Sequence, residues 1–217
     1  MEEMEYYQNY DVVFKWVSMV FAGETLDVLG VKTGKIIESR CLEPVTLQAK
    51  EERIDLLLRD EHGSYYHLEE ERNLTHKDMF RFASQHFLVA EQVKTEALTS
   101  IIIASGSVTP LKIIETKSGH YAPVIINLTE RNGEKRFQEI QKEETPNPVE
   151  LLFLPLYGAN RKSPEEFARE VVLYARELHL QGKITLQFVG AILIMCNKLV
   201  SQDMLETIWK EIGRAHV

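Results

Sequence analysis

The chain has 217 residues, of which 44% are hydrophobic, and a formal net charge of −8. This length and composition are ample for the core of one large domain, or of one domain with a helical appendage. The charge argues against a protein that coats nucleic acid passively, but it does not exclude an enzyme that acts on nucleic acid. The acidic start lacks the apolar segment of a secretory signal, and the two cysteines form no CxxC pair. We therefore expect a cytoplasmic protein without a membrane segment.

Periodicity and capping residues predict the following elements in chain order. Helical spacing predicts a first helix over residues 10–21, and residues 45–49 could form a strand. A hairpin of two strands follows at 53–60 and 65–73. Thr75 is a plausible N-cap for a helix to about Lys94, with Asp78 completing a capping box. Apolar runs at 98–104, 121–128 and 151–156 predict three more strands, and 130–144 reads as a charged loop or short helix.

The last part of the chain is predicted to be helical. Ser163 and Pro164 are typical of a helix start, and helices are expected over 163–179, over 184–200 and from 202 onward. The order predicts an α/β fold with a mixed sheet flanked by helices over residues 1–160 and a C-terminal helical region over 161–211. Residues 212–217 back-translate to a sequence that resembles a common sequencing adapter. We therefore expect them to be a non-native tail.

The hairpin is the most informative segment because its acidic residues fall at spacings that can bring them together. Successive strand side chains point to opposite faces, so Glu69 and Glu71 share one face of the second strand. A three-residue loop, with Gly63 in the left-handed conformation, would set Asp55 opposite Glu69, and the three carboxylates would converge. A two-residue loop would instead set Asp55 opposite Glu70 and disperse them.

Two interpretations of this acidic face stay open. Gathered carboxylates repel one another, and a divalent metal is the usual reason for them to coexist. Acidic residues on a strand can also be only the solvated face of a sheet edge, where charge discourages aggregation. In the first interpretation Asp55 and Glu69 bind Mg²⁺ or Mn²⁺, and Glu71 positions or deprotonates a water that attacks a phosphodiester. Asp11 could complete the pocket from the first helix.

The roles of three neighbouring polar residues are open in the same way. His67 lies on the acidic face and could be a metal ligand, a partner of a nearby carboxylate or a solvent-exposed residue. Arg81 and Gln85, one helical turn apart, could reach a phosphate or the metal site from the following helix. Ordinary surface salt bridging explains them equally well.

Several motifs resemble one nuclease family and span nearly the whole chain in the right order. The chain is similar to the PD-(D/E)XK superfamily, and within it to the Rpn family of recombination-promoting nucleases and transposase-like nucleases. That family has a strand aspartate, a hairpin and then a hydrophobic residue followed by Glu-x-Gln, matched here by Asp55 and by residues 68–71. Its opening Asp-x-x-Phe-Lys helix is matched by residues 11–15. Its Met- and Arg-bearing helix is matched by 78–81, and its Leu-Pro-Leu strand end by 154–156.

The resemblance implies a restriction-endonuclease-like fold and a metal-dependent cut in DNA, linked to recombination or a mobile element. It also implies a homodimer, since these enzymes frequently act as dimers. One departure matters: the superfamily has lysine, and this family usually glutamine, where this chain has Glu71. A glutamate could bind a second metal or act as a base, or it could mark a degraded site. A non-catalytic module that binds DNA or protein, and an unrelated acidic scaffold, therefore remain alternatives.

Overall fold

A computed structural model of the chain describes residues 20–42, 54–196 and 199–200. Of residues 41, 42, 54 and 55 only the backbone is described. The predicted first helix up to residue 19, which includes Asp11, lies outside these residues, as do the expected strand at 45–49 and the helix from 202. The chain divides into two compact units, one up to Asn127 and one from Leu128 onward, whereas the sequence suggested a division after residue 160.

The strands of the first unit are β1 Ile36–Leu42, β2 Ile54–Asp60, β3 Tyr65–Leu74, β4 Leu98–Val108, β5 Ile114–Thr116, β6 Gly119–Tyr121 and β7 Val124–Asn127. Five of them form a mixed sheet with the strand order β1-β2-β3-β4-β7. Strand β2 is antiparallel to both β1 and β3, whereas β4 runs parallel to β3 and β7 runs parallel to β4. Strands β5 and β6 form a separate antiparallel pair. The sequence-based prediction of an α/β fold with a mixed sheet is confirmed.

The β2–β3 hairpin has the register that a three-residue loop requires. Leu56 pairs with Leu68, and Leu58 pairs with Tyr66. At the turn, Gly63 adopts a left-handed φ of 84° and donates its N–H to the carbonyl of Asp60 at 3.0 Å. A residue with a side chain would be strained in this conformation, which is why glycine suits the position. The predicted loop and the predicted conformation of Gly63 are both confirmed.

Helix α1, His76–Val93, follows the hairpin and covers one face of the sheet. It begins with the predicted capping box: the Asp78 N–H donates to the Thr75 hydroxyl, and the Thr75 N–H donates to the Asp78 carboxylate. Phe82 packs in one buried cluster with Ile102 of β4. In a second cluster, Val89 of α1 packs against Leu57 of β2. These contacts identify the sheet face that α1 covers.

Within the described residues, the regular secondary structure of the second unit is helical. The α-helices are α2 Gly133–Ile140, α3 Pro148–Phe153, α4 Pro164–Leu180 and α5 Leu186–Cys196. Ser163 caps α4 and Pro164 occupies its first turn, as predicted, and Glu166 completes a capping box. In its core the Phe137 ring packs edge-on against Phe167, with ring centroids 6.0 Å apart.

The strand predicted at 151–156 is wrong. Residues 148–153 form α3, and Leu154–Leu156 form a short 3-10 helix. Asn147 caps α3 by accepting the N–H of Glu150 at 3.0 Å, and Pro148 favours the first helical turn. The apolar run is buried on all sides, and a helix of this kind shows no polar face that would distinguish it from a buried strand.

Candidate active site on the third strand

Strand β3 carries three polar residues on the sheet face that α1 covers. In the strand register His67 pairs with Leu57, Glu69 with Ile102 and Glu71 with Ala104. Leu57, Ile102 and Ala104 all belong to the clusters beneath α1, so the polar residues beside them share that face. His67 is fully buried and Glu69 is 3% exposed, whereas Glu71 lies nearer the surface. A carboxylate buried to this extent requires polar partners.

His67 is a polar partner of Glu69. The Nε2 atom of His67 lies 2.6 Å from Oε1 of Glu69, and both side chains are almost entirely removed from solvent. Because alternate strand residues point the same way, the contact is a natural consequence of the two-residue spacing. Of the roles considered for His67, the structure shows that of a carboxylate partner.

Glu71 pairs with the following helix. Its Oε2 atom lies 2.6 Å from Nη2 of Arg81, which also lies 3.4 Å from Oδ1 of Asp78. The guanidinium carbon of Arg81 is 4.6 Å from the centroid of the Phe82 ring. Gln85, one turn further along α1, is buried. Arg81 therefore lies beside the β3 carboxylates.

Three residues that sequence reasoning missed lie around this pair. The ring of His86 stacks near that of His67, with centroids 6.3 Å apart, and lies 5.4 Å from that of Tyr121. The Tyr121 hydroxyl is 2.7 Å from the Ser100 hydroxyl. Burial, followed by the charge of His67, lowers the pKa of His86 to about 4. Burial raises the pKa of Tyr121 to about 12; the charge of Glu69 adds to this rise, and the Ser100 hydrogen bond opposes it.

No short-range pattern could have found this set of residues. His86 lies on α1, Ser100 on β4 and Tyr121 on β6, so only the fold brings them to β3. The small β5–β6 hairpin, which carries Tyr121, was not predicted. Its strands are too short to show a clear alternation of polar and apolar residues.

Asp55 is placed by register alone. Continuing the β2–β3 pairing by one residue beyond Leu56 and Leu68 sets position 55 opposite Glu69. Glu70, which would lie opposite Asp55 with a two-residue loop, is buried and lies on the opposite face of β3 from Glu69. The side chain of Asp55 and all of Asp11 lie outside what the structure describes.

The donors that could hold a metal here are carboxylate oxygens. Such hard donors fit Mg²⁺ or Mn²⁺ and would come from Glu69 and from the position opposite it. Among residues whose side chains are described, no group of three or more His, Cys, Asp or Glu is arranged to hold a metal ion. A ligand set of three or more would therefore need side chains outside those described.

Comparison with family models, with curated proteins and with solved structures found no match for this chain. Within the described ranges, no helix combines the length and the apolar character that a membrane crossing needs.

Proposed function

We propose that the protein is a metal-dependent DNA endonuclease with a restriction-endonuclease-like fold, acting in recombination or for a mobile element. The observation that carries the proposal is the register of the β2–β3 hairpin, which sets position 55 opposite Glu69. The pairing of Leu56 with Leu68 is the register in which the acidic motif residues converge, and a slip of one residue would disperse them. The mixed sheet, with a helix between β3 and β4, supports the same fold.

In this proposal Asp55 and Glu69 hold Mg²⁺ or Mn²⁺, and Asp11 completes the pocket. Bound there, the ion would lower the pKa of a coordinated water and neutralise charge on the phosphoryl group. Glu71, two residues from Glu69 on the same face, orients the attacking water and accepts its proton. His67 fixes the Glu69 carboxylate through the 2.6 Å contact, so that this carboxylate has a defined orientation.

A second candidate, a DNA- or protein-binding module without catalysis, is favoured by a different observation. The two β3 carboxylates of the proposed site already have partners in the protein, Glu69 with His67 and Glu71 with Arg81. A site that has lost its metal could retain its acidic residues in such pairs, because each partner offsets the cost of burying a carboxylate.

Plasmid nicking by the purified full chain separates the two functions. The assay compares Mg²⁺ with EDTA, and wild type with Asp55→Ala and Glu69→Gln. Glu115→Gln is the matched control, since Glu115 is an exposed carboxylate on β5 of the same unit. We expect nicking by wild type and by Glu115→Gln in Mg²⁺, and loss of nicking in EDTA and in both site variants.

A folded wild-type protein that nicks no DNA in Mg²⁺ or Mn²⁺ would contradict the nuclease and favour the binding module. Nicking that survives Asp55→Ala and Glu69→Gln would place the activity elsewhere. A homodimer and a cytoplasmic location stay predictions. Sedimentation of the purified protein tests the first, and fractionation of the producing cells tests the second.

A further inference from the structure

Arg81 makes three contacts beside the β3 carboxylates. Its Nη2 atom contacts Glu71 at 2.6 Å and Asp78 at 3.4 Å, and its guanidinium lies over the Phe82 ring at 4.6 Å. Both carboxylate contacts use the same nitrogen. The guanidinium carries five N–H donors, more than these two contacts use.

Side-chain exposure increases from Glu69 through Glu71 to Arg81. The side chain of Glu69 is 4% exposed, that of Glu71 is 24% exposed and that of Arg81 is 44% exposed. A ligand that approaches Glu69 from this side therefore meets the guanidinium before it meets the buried carboxylate. Carboxylates alone would repel an anion, and the guanidinium supplies the opposite charge where the anion would enter.

We infer that Arg81 binds a phosphate of the DNA backbone beside the β3 carboxylates, and that Glu71 and Asp78 hold it in the orientation for this contact. The inference rests on the proposed function and adds a residue that contacts the substrate. A guanidinium presents its N–H donors in a planar fork that matches phosphate oxygens, and it stays charged at any pH the protein experiences. An arginine whose position is already fixed loses little conformational freedom on binding.

The test measures DNA binding without metal, so that it does not depend on cleavage. Fluorescence anisotropy with a short labelled duplex in EDTA, between about 50 and about 200 mM salt, gives the dissociation constant and its salt dependence. The variants are Arg81→Ala, Arg81→Lys and Glu71→Gln, with Lys117→Ala as a control. Lys117 is an exposed cation between β5 and β6 of the same unit.

Arg81→Ala should raise the dissociation constant about tenfold and reduce the salt slope by about one unit, because one phosphate contact is lost. Arg81→Lys should retain most of the salt slope but bind more weakly than wild type, since it keeps the charge and loses the fork. Lys117→Ala should leave both quantities close to those of wild type.

Glu71→Gln separates the phosphate contact from a structural effect. This variant breaks the same ion pair as Arg81→Ala but keeps the guanidinium. It should bind DNA about as tightly as wild type, because the removal of a negative charge beside the phosphate offsets the lost Glu71 contact, and Asp78 still contacts the guanidinium. Equal weakening by Glu71→Gln and Arg81→Ala would show that the ion pair acts only through the fold, and would overturn the inference.

The two proposals fail in different ways. If wild type binds DNA through Arg81 and never cleaves it, the inference holds and the nuclease does not. If wild type cleaves DNA while Arg81→Ala leaves the dissociation constant and the salt slope unchanged, the nuclease holds and the inference is overturned. Absence of DNA binding by wild type overturns the inference, and absence of cleavage as well would reject both.

Discussion

Nε2 of His67 lies 2.6 Å from Oε1 of Glu69, and the two side chains are 0% and 4% exposed. This contact lies on the sheet face that α1 covers. A carboxylate in such a place would be costly without a partner, since transfer from water to a low-dielectric interior disfavours the charged form. Loss of this contact should therefore both destabilise the fold and disturb the candidate site.

His67→Ala should lower the free energy of unfolding by about 3 kcal/mol, because it leaves Glu69 buried without this partner. Urea unfolding at neutral pH measures the change. His120→Ala is the control, since His120 is an exposed histidine on β6 of the same unit, and it should cost about 0.5 kcal/mol or less. Equal stability of His67→Ala and wild type would show that the contact contributes nothing to folding.

His86 should make the protein less stable as the pH falls. Burial and the charge of His67 lower its pKa from 6.5 to about 4 in the folded state. Between these values the unfolded chain binds a proton that the folded protein does not, so protonation favours unfolding. The stability that depends on neutral His86 is fully present above about pH 6.5. It is lost progressively as the pH falls toward about 4.

Urea unfolding across this pH window measures the effect. His86→Gln should show a shallower loss of stability on acidification than wild type, because the substituted residue takes up no proton. His120→Gln, at an exposed histidine of the same unit, controls for the histidine-to-glutamine substitution itself. An identical pH profile for His86→Gln and wild type would count against the lowered pKa.

The hairpin could be predicted because local chemistry determines it. Gly63 needs a left-handed conformation, and that turn fixes the register of the two strands on either side. The capping boxes at Thr75 and Ser163 are predictable for the same reason, since each depends on residues three positions apart. These parts of the fold need no knowledge of distant contacts.

The polar surroundings of Glu69 could not be predicted, because they come from elements that are distant along the chain. His86 and Tyr121 are unremarkable in sequence until α1 and β6 pack beside β3. Strand β1 was also missed, since Ile36–Leu42 alternates too irregularly to separate from a loop. Its pairing with β2 contains register shifts, which obscure the period further.

Arg136 should be important for the stability of the helical unit. Its guanidinium contacts both oxygens of Glu150 at 2.6 Å, and the side chain of Glu150 is 6% exposed. Arg136→Ala leaves that carboxylate buried without this partner and should cost about 3 kcal/mol in urea unfolding. Glu139→Ala removes an exposed partner of the same arginine and should cost about 0.5 kcal/mol or less. Similar losses of stability in the two variants would show that leaving the buried Glu150 without Arg136 carries no additional cost.

Alanine substitution at two glycines of the same unit should change stability in opposite directions. A Cβ at Gly158 would collide with the carbonyl oxygen of Thr129, whereas a Cβ at Gly190 would meet nothing within 4 Å. Gly158→Ala should destabilise by about 2 kcal/mol or more, since backbone would have to move. Gly190→Ala lies within α5 and should stabilise by about 0.5 to 1 kcal/mol through helix propensity. Thermal unfolding tests the two signs, and a stable Gly158→Ala would contradict the close approach.

Adjacent glutamates on β3 should differ in their effect on metal binding. Glu69 lies on the face that α1 covers, and Glu70 is buried on the other face, with 6% exposure. If Asp55 and Glu69 bind the metal, Glu69→Gln removes one of its ligands, whereas Glu70→Gln alters only the opposite face. The signal of free Mn²⁺ in electron paramagnetic resonance should therefore reveal binding by wild type and Glu70→Gln, but not by Glu69→Gln.

Plasmid nicking in Mg²⁺ should follow the same order, with cleavage retained in Glu70→Gln and lost in Glu69→Gln. Circular dichroism on both variants controls for folding, which matters because both residues are buried. The opposite outcome, in which Glu70→Gln loses Mn²⁺ while Glu69→Gln binds it, would place the metal on the wrong face for the observed register. It would then favour a site formed with residues on the Tyr66 and Leu68 side of the hairpin.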